Sequence, residues 1–164
     1  MRTQTSGVSV LVMVLFLSVL AWPVHAEETL IIGAVMPITG VFGFAGAETE
    51  AAGQDAVAIA NAEGGVAGKK IKFVDEDGQY KQDVAMAAFQ KIMSTEKPLV
   101  FLAESTAMAK ALAPEFKNGY KILMGSTSFS SELADRAMNQ YTFVCGPTYG
   151  DMFGILLKSL STIS

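Results

Sequence analysis

The hydrophobic positions of the chain alternate between short apolar runs and longer stretches with helical spacing. The clearest run is residues 30–36 (LIIGAVM), which is typical of a strand buried on both faces of a sheet. Further strands are predicted at residues 70–75, 99–103, 121–124 and 141–145, and helices at residues 48–61, 83–93, 106–116, 131–138 and 151–160. Strict alternation of strands and helices predicts an α/β fold, a doubly wound, Rossmann-like parallel sheet covered by helices on both faces.

The apolar spacing also predicts which side of each helix packs against the sheet. Acidic residues Glu48 and Glu50 are placed in the first turn of the first helix, where the helix dipole favours them. The predicted inward residues are Ala52, Ala56, Ile59 and Ala60 in the first helix, Ala85, Ala88, Phe89 and Ile92 in the second, and Met108, Ala111 and Leu112 in the third.

The N-terminus has the pattern of a secretory signal peptide. Arg2 precedes an apolar run at residues 8–21, and the small residues Val24 and Ala26 fit the positions before a cleavage site. The alternative is a membrane anchor, but a spanning helix needs about 20 apolar residues and this run stops short at Pro23. We expect residues 1–26 to be removed and residues 27–164 to be exported to the periplasm without a lipid anchor.

Removal of the signal peptide leaves 138 of the 164 residues and no histidine. Such a chain can build neither a Ser-His-Asp triad nor an imidazole metal site, so we expect a protein that is not an enzyme and uses no cofactor. Cys145 is alone in the chain and lies in an apolar run, which favours a buried, inert thiol. Without Arg2 the balance is 11 basic against 16 acidic residues, which argues against nucleic acid as a partner.

Ligands of doubly wound sheets bind at the carboxyl ends of the strands, which here are the loops at residues 37–46, 76–82, 104–106, 125–130 and 146–150. The first of these loops has the spacing G-x-x-G-x-x-G, which differs from the dinucleotide pattern G-x-G-x-x-G. Phe42 and Phe44 in this loop could form an apolar wall for a small ligand, or could simply plug the end of the sheet.

Other kinds of site find less support in the sequence. Residues 125–129 (GSTSF) lack the last glycine of the G-x-S-x-G motif of α/β hydrolases. Asp75, Glu76 and Asp77 could hold a divalent cation, but a solvated strand end is the simpler interpretation because no calcium-loop glycine accompanies them.

Three segments resemble the type I periplasmic binding proteins, and among them the leucine/isoleucine/valine-binding family of ABC transporters. These are Thr39-Gly40 after the first strand, residues 61–71 (NAEGGVAGKKI), and the acidic strand end at residues 75–77. The resemblance runs from Leu30 to the chain end and covers only the first of the two lobes of that family. It implies a periplasmic solute-binding protein that delivers an amino acid or similar small molecule to permease subunits in the inner membrane. A ligand-sensing lobe of a receptor would share the same sequence.

The resemblance also implies which residues hold the ligand. Ser105, followed by Thr106, matches a small-hydroxyl loop that holds the ligand's carboxylate, although Ser105 could equally be only the N-cap of a helix. The loop at residues 126–129 matches the segment at the ligand's charged end, and Tyr149 lies at the same rim. The complete set of predicted ligand-binding residues is Phe44, Glu104, Ser105, Thr106, Thr127, Ser128, Phe129 and Tyr149.

Three positions depart from the family pattern. Phe129 stands where a threonine is usual, Ala45 stands at the aromatic position of the first loop, and Glu104 replaces an apolar residue. Glu104 could bind an ammonium group or could lie in solvent. From an expected convergence of Phe44, Phe129 and Tyr149 on one rim we predict a ligand bulkier or more apolar than valine.

Overall fold

A computed structural model describes residues 29–163, so the predicted signal peptide and its cleavage site lie outside the described residues. The strands are β1 (Leu30–Met36), β2 (Ile71–Asp77), β3 (Val100–Ala103), β4 (Leu123–Ser126) and β5 (Thr142–Val144). The helices are α1 (Gly43–Ala62), α2 (Gln82–Thr95), α3 (Thr106–Glu115) and α4 (Tyr149–Ile163), with a π-helical turn at Phe116–Tyr120 and a 3-10 turn at Ser131–Ala134.

The five strands form one parallel sheet in the order β2-β1-β3-β4-β5. The predicted α/β fold with a parallel sheet is therefore confirmed. The chain runs outward from β1 to β2 and then crosses back to β3, so the strand order reverses between β1 and β3. In open α/β sheets this switch point leaves a crevice at the carboxyl ends of the strands, and ligands bind there.

The main core lies between the sheet and the paired helices α2 and α3. The predicted inward residues of α2 are all buried, and Phe89 packs edge-on against Phe101 of β3 with ring centroids 5.0 Å apart. In α3 the prediction was wrong at Ala111, which is exposed, because Ala109 and Ala113 face the sheet instead. Small apolar residues on several sides of α3 left its rotation ambiguous in the sequence.

Helix α1 differs most from its prediction. It begins at Gly43, so Glu48 and Glu50 lie beyond its first turn. Three of the four predicted inward residues, Ala52, Ala56 and Ile59, are exposed. The helix approaches the sheet through glycine instead, since a Cβ on Gly53 would lie 3.0 Å from the Phe73 ring of β2. Alanine occurs around the whole helix, so hydrophobicity alone does not fix its inner face.

The last elements leave apolar surface exposed in the described part of the chain. No residue of α4 is buried, and Phe143 of the edge strand β5 is 39% exposed. The predicted burial of Cys145 was also wrong, because this residue follows the edge strand and is exposed. Neighbouring atoms still desolvate its sulfur enough to raise the pKa of the thiol, which favours the protonated form. Among residues 29–163, no helix has the length and apolar character needed to cross a membrane.

Candidate functional site

A cavity of about 300 Å³ lies at the carboxyl edge of the sheet, where the loops after all five strands meet. This volume is at the low end of small-molecule pockets, which suits a ligand of amino-acid size. Six of the eight predicted site residues line it, namely Glu104, Ser105, Thr106, Thr127, Ser128 and Tyr149. They come from the ends of β3 and β4 and the start of α4.

One side of the cavity is made of hydroxyl groups at the N-terminus of α3. Ser105 is the N-cap of this helix, and its Oγ accepts a hydrogen bond from the backbone N–H of Met108 at 3.2 Å. Thr106 Oγ1 and Ser128 Oγ are hydrogen-bonded to each other across the two loops. Free N–H groups and the helix dipole make such a terminus favourable for an anion.

Thr127 joins the same two loops beneath these hydroxyls. Its Oγ1 donates to the backbone carbonyl of Glu104 at 2.7 Å, and its own N–H donates to the carbonyl of Ala103 at 3.2 Å. The side chain of Thr127 is therefore committed to fixing the end of β3. Among these hydroxyl residues, Ser105, Thr106 and Ser128 are the ones placed to meet a ligand.

The opposite side of the cavity, after β1 and β2, is aromatic, and its two rings, Phe42 and Tyr80, are not in the predicted set of ligand-binding residues. Phe42 and Tyr80 pack with centroids 4.2 Å apart, and both line the cavity together with Tyr149. Tyr80 follows β2, in a loop that the sequence placed at the ligand edge without identifying this residue. Gln79 and Tyr80 both adopt left-handed backbone conformations, with φ of 54° and 57°. Non-glycine residues rarely adopt such angles, which cluster at functional sites.

The two predicted phenylalanines lie outside the cavity lining. Phe44 is 78% exposed and stacks only against the outer side of Phe42, with centroids 6.0 Å apart. Phe129 packs edge-on against Tyr149 and covers Gly146, where an added Cβ would lie 3.0 Å from its ring. The ring of Phe44 pairs with Phe42 and the ring of Phe129 pairs with Tyr149, so the expected convergence of the three rings on one rim stays a prediction. Ala45, at the family's aromatic position, does line the cavity.

Asp77 connects the loop after β1 to the turn after β2. Its carboxylate accepts from the N–H of Thr39 at 3.1 Å, from the Thr39 hydroxyl at 2.5 Å and from the N–H of Gln79 at 2.9 Å. Desolvation acts to raise the pKa of Asp77, but these hydrogen bonds outweigh it, with the Thr39 hydroxyl the largest, and lower the pKa. This carboxylate fixes the two segments that carry Phe42 and Tyr80.

The neighbouring acids at the end of β2 have separate partners. Glu76 pairs with Lys91 at 2.6 Å, and Asp75 accepts from the side-chain amide of Gln54 at 3.1 Å. Nowhere in residues 29–163 do three acidic, cysteine or histidine side chains form a group that could hold a metal ion. The acidic strand end thus serves hydrogen bonds and ion pairs within the lobe.

Glu104 is the acidic residue that lines the cavity. It is only 5% exposed, and its Oε2 has no hydrogen-bond partner within the described structure. Burial raises its pKa above the ordinary glutamate value, the backbone N–H of Tyr80 opposes this effect, and the negative charge of Asp77 adds to it. The sequence left two positions open for Glu104, beside an ammonium group or in solvent. Its burial contradicts the position in solvent.

Comparison with known proteins places these features in a family. The Leu/Ile/Val-binding protein homolog 3 of Brucella melitensis biotype 1 is 27% identical over 135 residues, which are 81% of this chain and 36% of that protein. A structure of a branched-chain amino acid ABC transporter protein from Thermus thermophilus with bound valine superimposes with a TM-score of 0.73. It is 26% identical and matches 84% of this chain and 36% of its own. This chain thus spans little more than a third of the length of either relative.

The same fold also occurs in a fatty acid ABC transporter substrate-binding protein from Thermomonospora curvata. That structure has a TM-score of 0.64 and 24% identity, and matches 76% of this chain and 31% of its own. The fold alone therefore does not determine the ligand. Residues 29–158 match the periplasmic binding protein family over most of the chain, and the chain belongs to that family.

Proposed function

We propose that this chain is the N-terminal ligand-binding lobe of an exported solute-binding protein that serves an ABC transporter. Its ligand is a branched-chain amino acid or a related small amino acid or carboxylate. The observation that carries the proposal is the cavity at the β1/β3 switch point, with hydroxyl groups on one side and aromatic rings on the other. Relatives that bind valine or carry a Leu/Ile/Val-binding name support the same ligand class.

The two sides of the cavity suit the two ends of such a ligand. The start of α3 supplies Ser105, Thr106 and free backbone N–H groups, which are donors for a carboxylate. Phe42 and Tyr80 supply apolar surface for a short hydrocarbon side chain. Holding a ligand in this way requires no reacting group, and we infer that the protein acts by binding rather than as an enzyme.

The mechanism that we propose is closure of a second lobe over the ligand. In two-lobed binding proteins a hinge motion buries the ligand between the lobes, and only the lobe containing the first half of the site is described here. The closed form would dock on permease subunits of the inner membrane, after export through the predicted signal peptide. A lone lobe supplies only part of the contacts, so it should bind weakly.

Nuclear magnetic resonance tests this function directly on residues 27–164. We expect valine, leucine and isoleucine in the millimolar range to shift the amide signals of Ser105, Thr106 and Ser128. The variant Ser105→Ala should reduce these shifts, whereas Ser94→Ala, which removes an exposed hydroxyl on α2, should not. An absence of shifts at the cavity would contradict the proposed site. A thermal stabilisation of several degrees by one amino acid would instead contradict the need for a second lobe.

A further inference from the structure

Glu104 carries a buried carboxyl group that has no cation as a partner within the described part of the lobe. The residue is only 5% exposed, its carboxyl accepts from the backbone N–H of Tyr80, and Oε2 has no hydrogen-bond partner in the described structure. A buried carboxylate without compensation is costly, so such groups are normally paired with a cation or bound by several donors. The family resemblance gives an apolar residue at this position, which would avoid the cost altogether.

The described part of the lobe offers no cation to Glu104. Its ion pairs join Lys72 to Glu96, Lys91 to Glu76 and Lys110 to Glu132, and none includes Glu104. No lysine or arginine is among the residues that line the cavity. The charged group that acts on Glu104 is Asp77, which has the same sign and raises the pKa of Glu104 further.

We propose that Glu104 is a specificity-determining residue that accepts the ammonium group of the ligand, so that the cavity selects amino acids over carboxylic acids of the same shape. This inference rests on the proposed function and adds to it that the site requires a positively charged group on the ligand. It assigns the cation-binding role to the first lobe, at a position where the resemblance implies no charge.

The position of Glu104 in the chain makes this arrangement possible. It directly precedes Ser105, and consecutive Cα atoms lie about 3.8 Å apart. An α-amino acid carries its ammonium and carboxylate on one carbon, so neighbouring residues can meet both groups at once. Oε2 lies against Gly78, which does not line the cavity, so the other carboxyl oxygen, beside the backbone N–H of Tyr80, is the one that can meet the ligand.

Charge complementarity explains the expected preference. An ammonium group beside Glu104 compensates the buried negative charge of the carboxylate. A carboxylic acid without this group would bring a second negative charge close to Glu104 and leave the buried carboxylate without a cation. A hydrogen bond between charged groups is worth roughly 1.5–3 kcal/mol, so the amino acid should bind about tenfold or more tightly.

Titration with two matched ligands tests the proposal on residues 27–164. Leucine and 4-methylpentanoate share the side chain and the carboxylate, and only leucine carries the ammonium group. Amide shifts at Ser105 and Ser128 give both dissociation constants. We expect the wild-type chain to favour leucine by about tenfold or more, and Glu104→Gln to lose most of this ratio. Glu132→Gln removes the same charge from an exposed acid outside the cavity and should keep the wild-type ratio.

The outcomes separate this proposal from the function on which it rests. Shifts at the cavity with equal affinities for the two ligands, or a ratio that Glu104→Gln leaves unchanged, would overturn the role of Glu104 while leaving the binding site in place. If neither ligand shifts the cavity signals, both proposals fail. Should the glutamine variant not fold, Glu104→Met provides the same comparison with a side chain of similar length and no charge.

Discussion

The contact between Gly78 and Glu104 allows a stability prediction with a defined size. Gly78 follows β2 and is buried, and the Glu104 carboxyl fills the space where its side chain would be. A Cβ added at Gly78 would lie 2.2 Å from Oε2, 2.6 Å from Cδ of Glu104 and 2.7 Å from Cγ1 of Val35. The φ of Gly78 lies outside the left-handed range, so only the lack of space opposes alanine there.

We expect Gly78→Ala to reduce the free energy of unfolding by about 1–3 kcal/mol, the usual cost of forcing extra atoms into a packed site. Removing the opposing carboxyl should relieve much of this cost. In the Glu104→Ala background the same substitution should cost less, with a coupling energy between about 0.5 and 3 kcal/mol. Part of the cost should persist because Val35 remains close.

Urea unfolding of the single and double variants, followed by circular dichroism, measures these energies. Gly119→Ala is the matched control, since nothing lies within 4 Å of its added Cβ and its φ is also outside the left-handed range. That control should be neutral or slightly stabilising. An unchanged stability of Gly78→Ala, or an equal cost in both backgrounds, would refute the close contact between Gly78 and Glu104.

Three further variants test the hydrogen bonds and charges of the site. Ser105→Ala removes the cap that accepts from Met108 and should cost about 1 kcal/mol in urea unfolding, whereas a loss near zero would show that the cap contributes nothing. Because the pKa of Glu104 is raised, the wild type loses stability as pH rises above the ordinary glutamate value, so Glu104→Gln should gain relative stability towards neutral pH. Asp77→Asn should show the opposite trend, because the hydrogen bonds that Asp77 accepts from Thr39 stabilise the fold above the ordinary aspartate pKa and are lost on acidification. Thermal unfolding between about pH 2 and 8, which covers the ordinary glutamate pKa and the more acidic range in which Asp77 titrates, distinguishes the two trends, and parallel curves would contradict both.

The alternation of strands and helices and the edge of the sheet that holds the cavity could be predicted from sequence because both depend on local patterns. β1 is a continuous apolar run, and Ser105 stands directly before a helix, where a hydroxyl caps it. The rotation of α1 could not be predicted in this way. Its inner face is set by the close approach of Gly53 to Phe73, a residue of a different element, while alanine elsewhere on the helix is compatible with either side.

The aromatic side of the cavity shows the same limit. Phe42 and Phe44 are two residues apart, at the end of the loop after β1 and in the first turn of α1, and nothing local in the sequence distinguishes them. Their positions depend on the path of that loop. Asp77 fixes this path by accepting hydrogen bonds from Thr39 in the loop and from Gln79 after β2. The acidic strand end was visible in the sequence, but its partners were not, because Asp77 and Thr39 are 38 positions apart.

The space shared by Gly78 and Glu104 has a consequence for how such sequences can change over time. A glutamate at position 104 is best tolerated where position 78 is glycine, since a Cβ there would lie 2.2 Å from its Oε2. An apolar residue at position 104 would ease this restriction without removing it, because Val35 also lies close to position 78. In a set of related genes, a larger residue at position 78, which lies outside the cavity lining, would therefore argue against a buried acid at position 104.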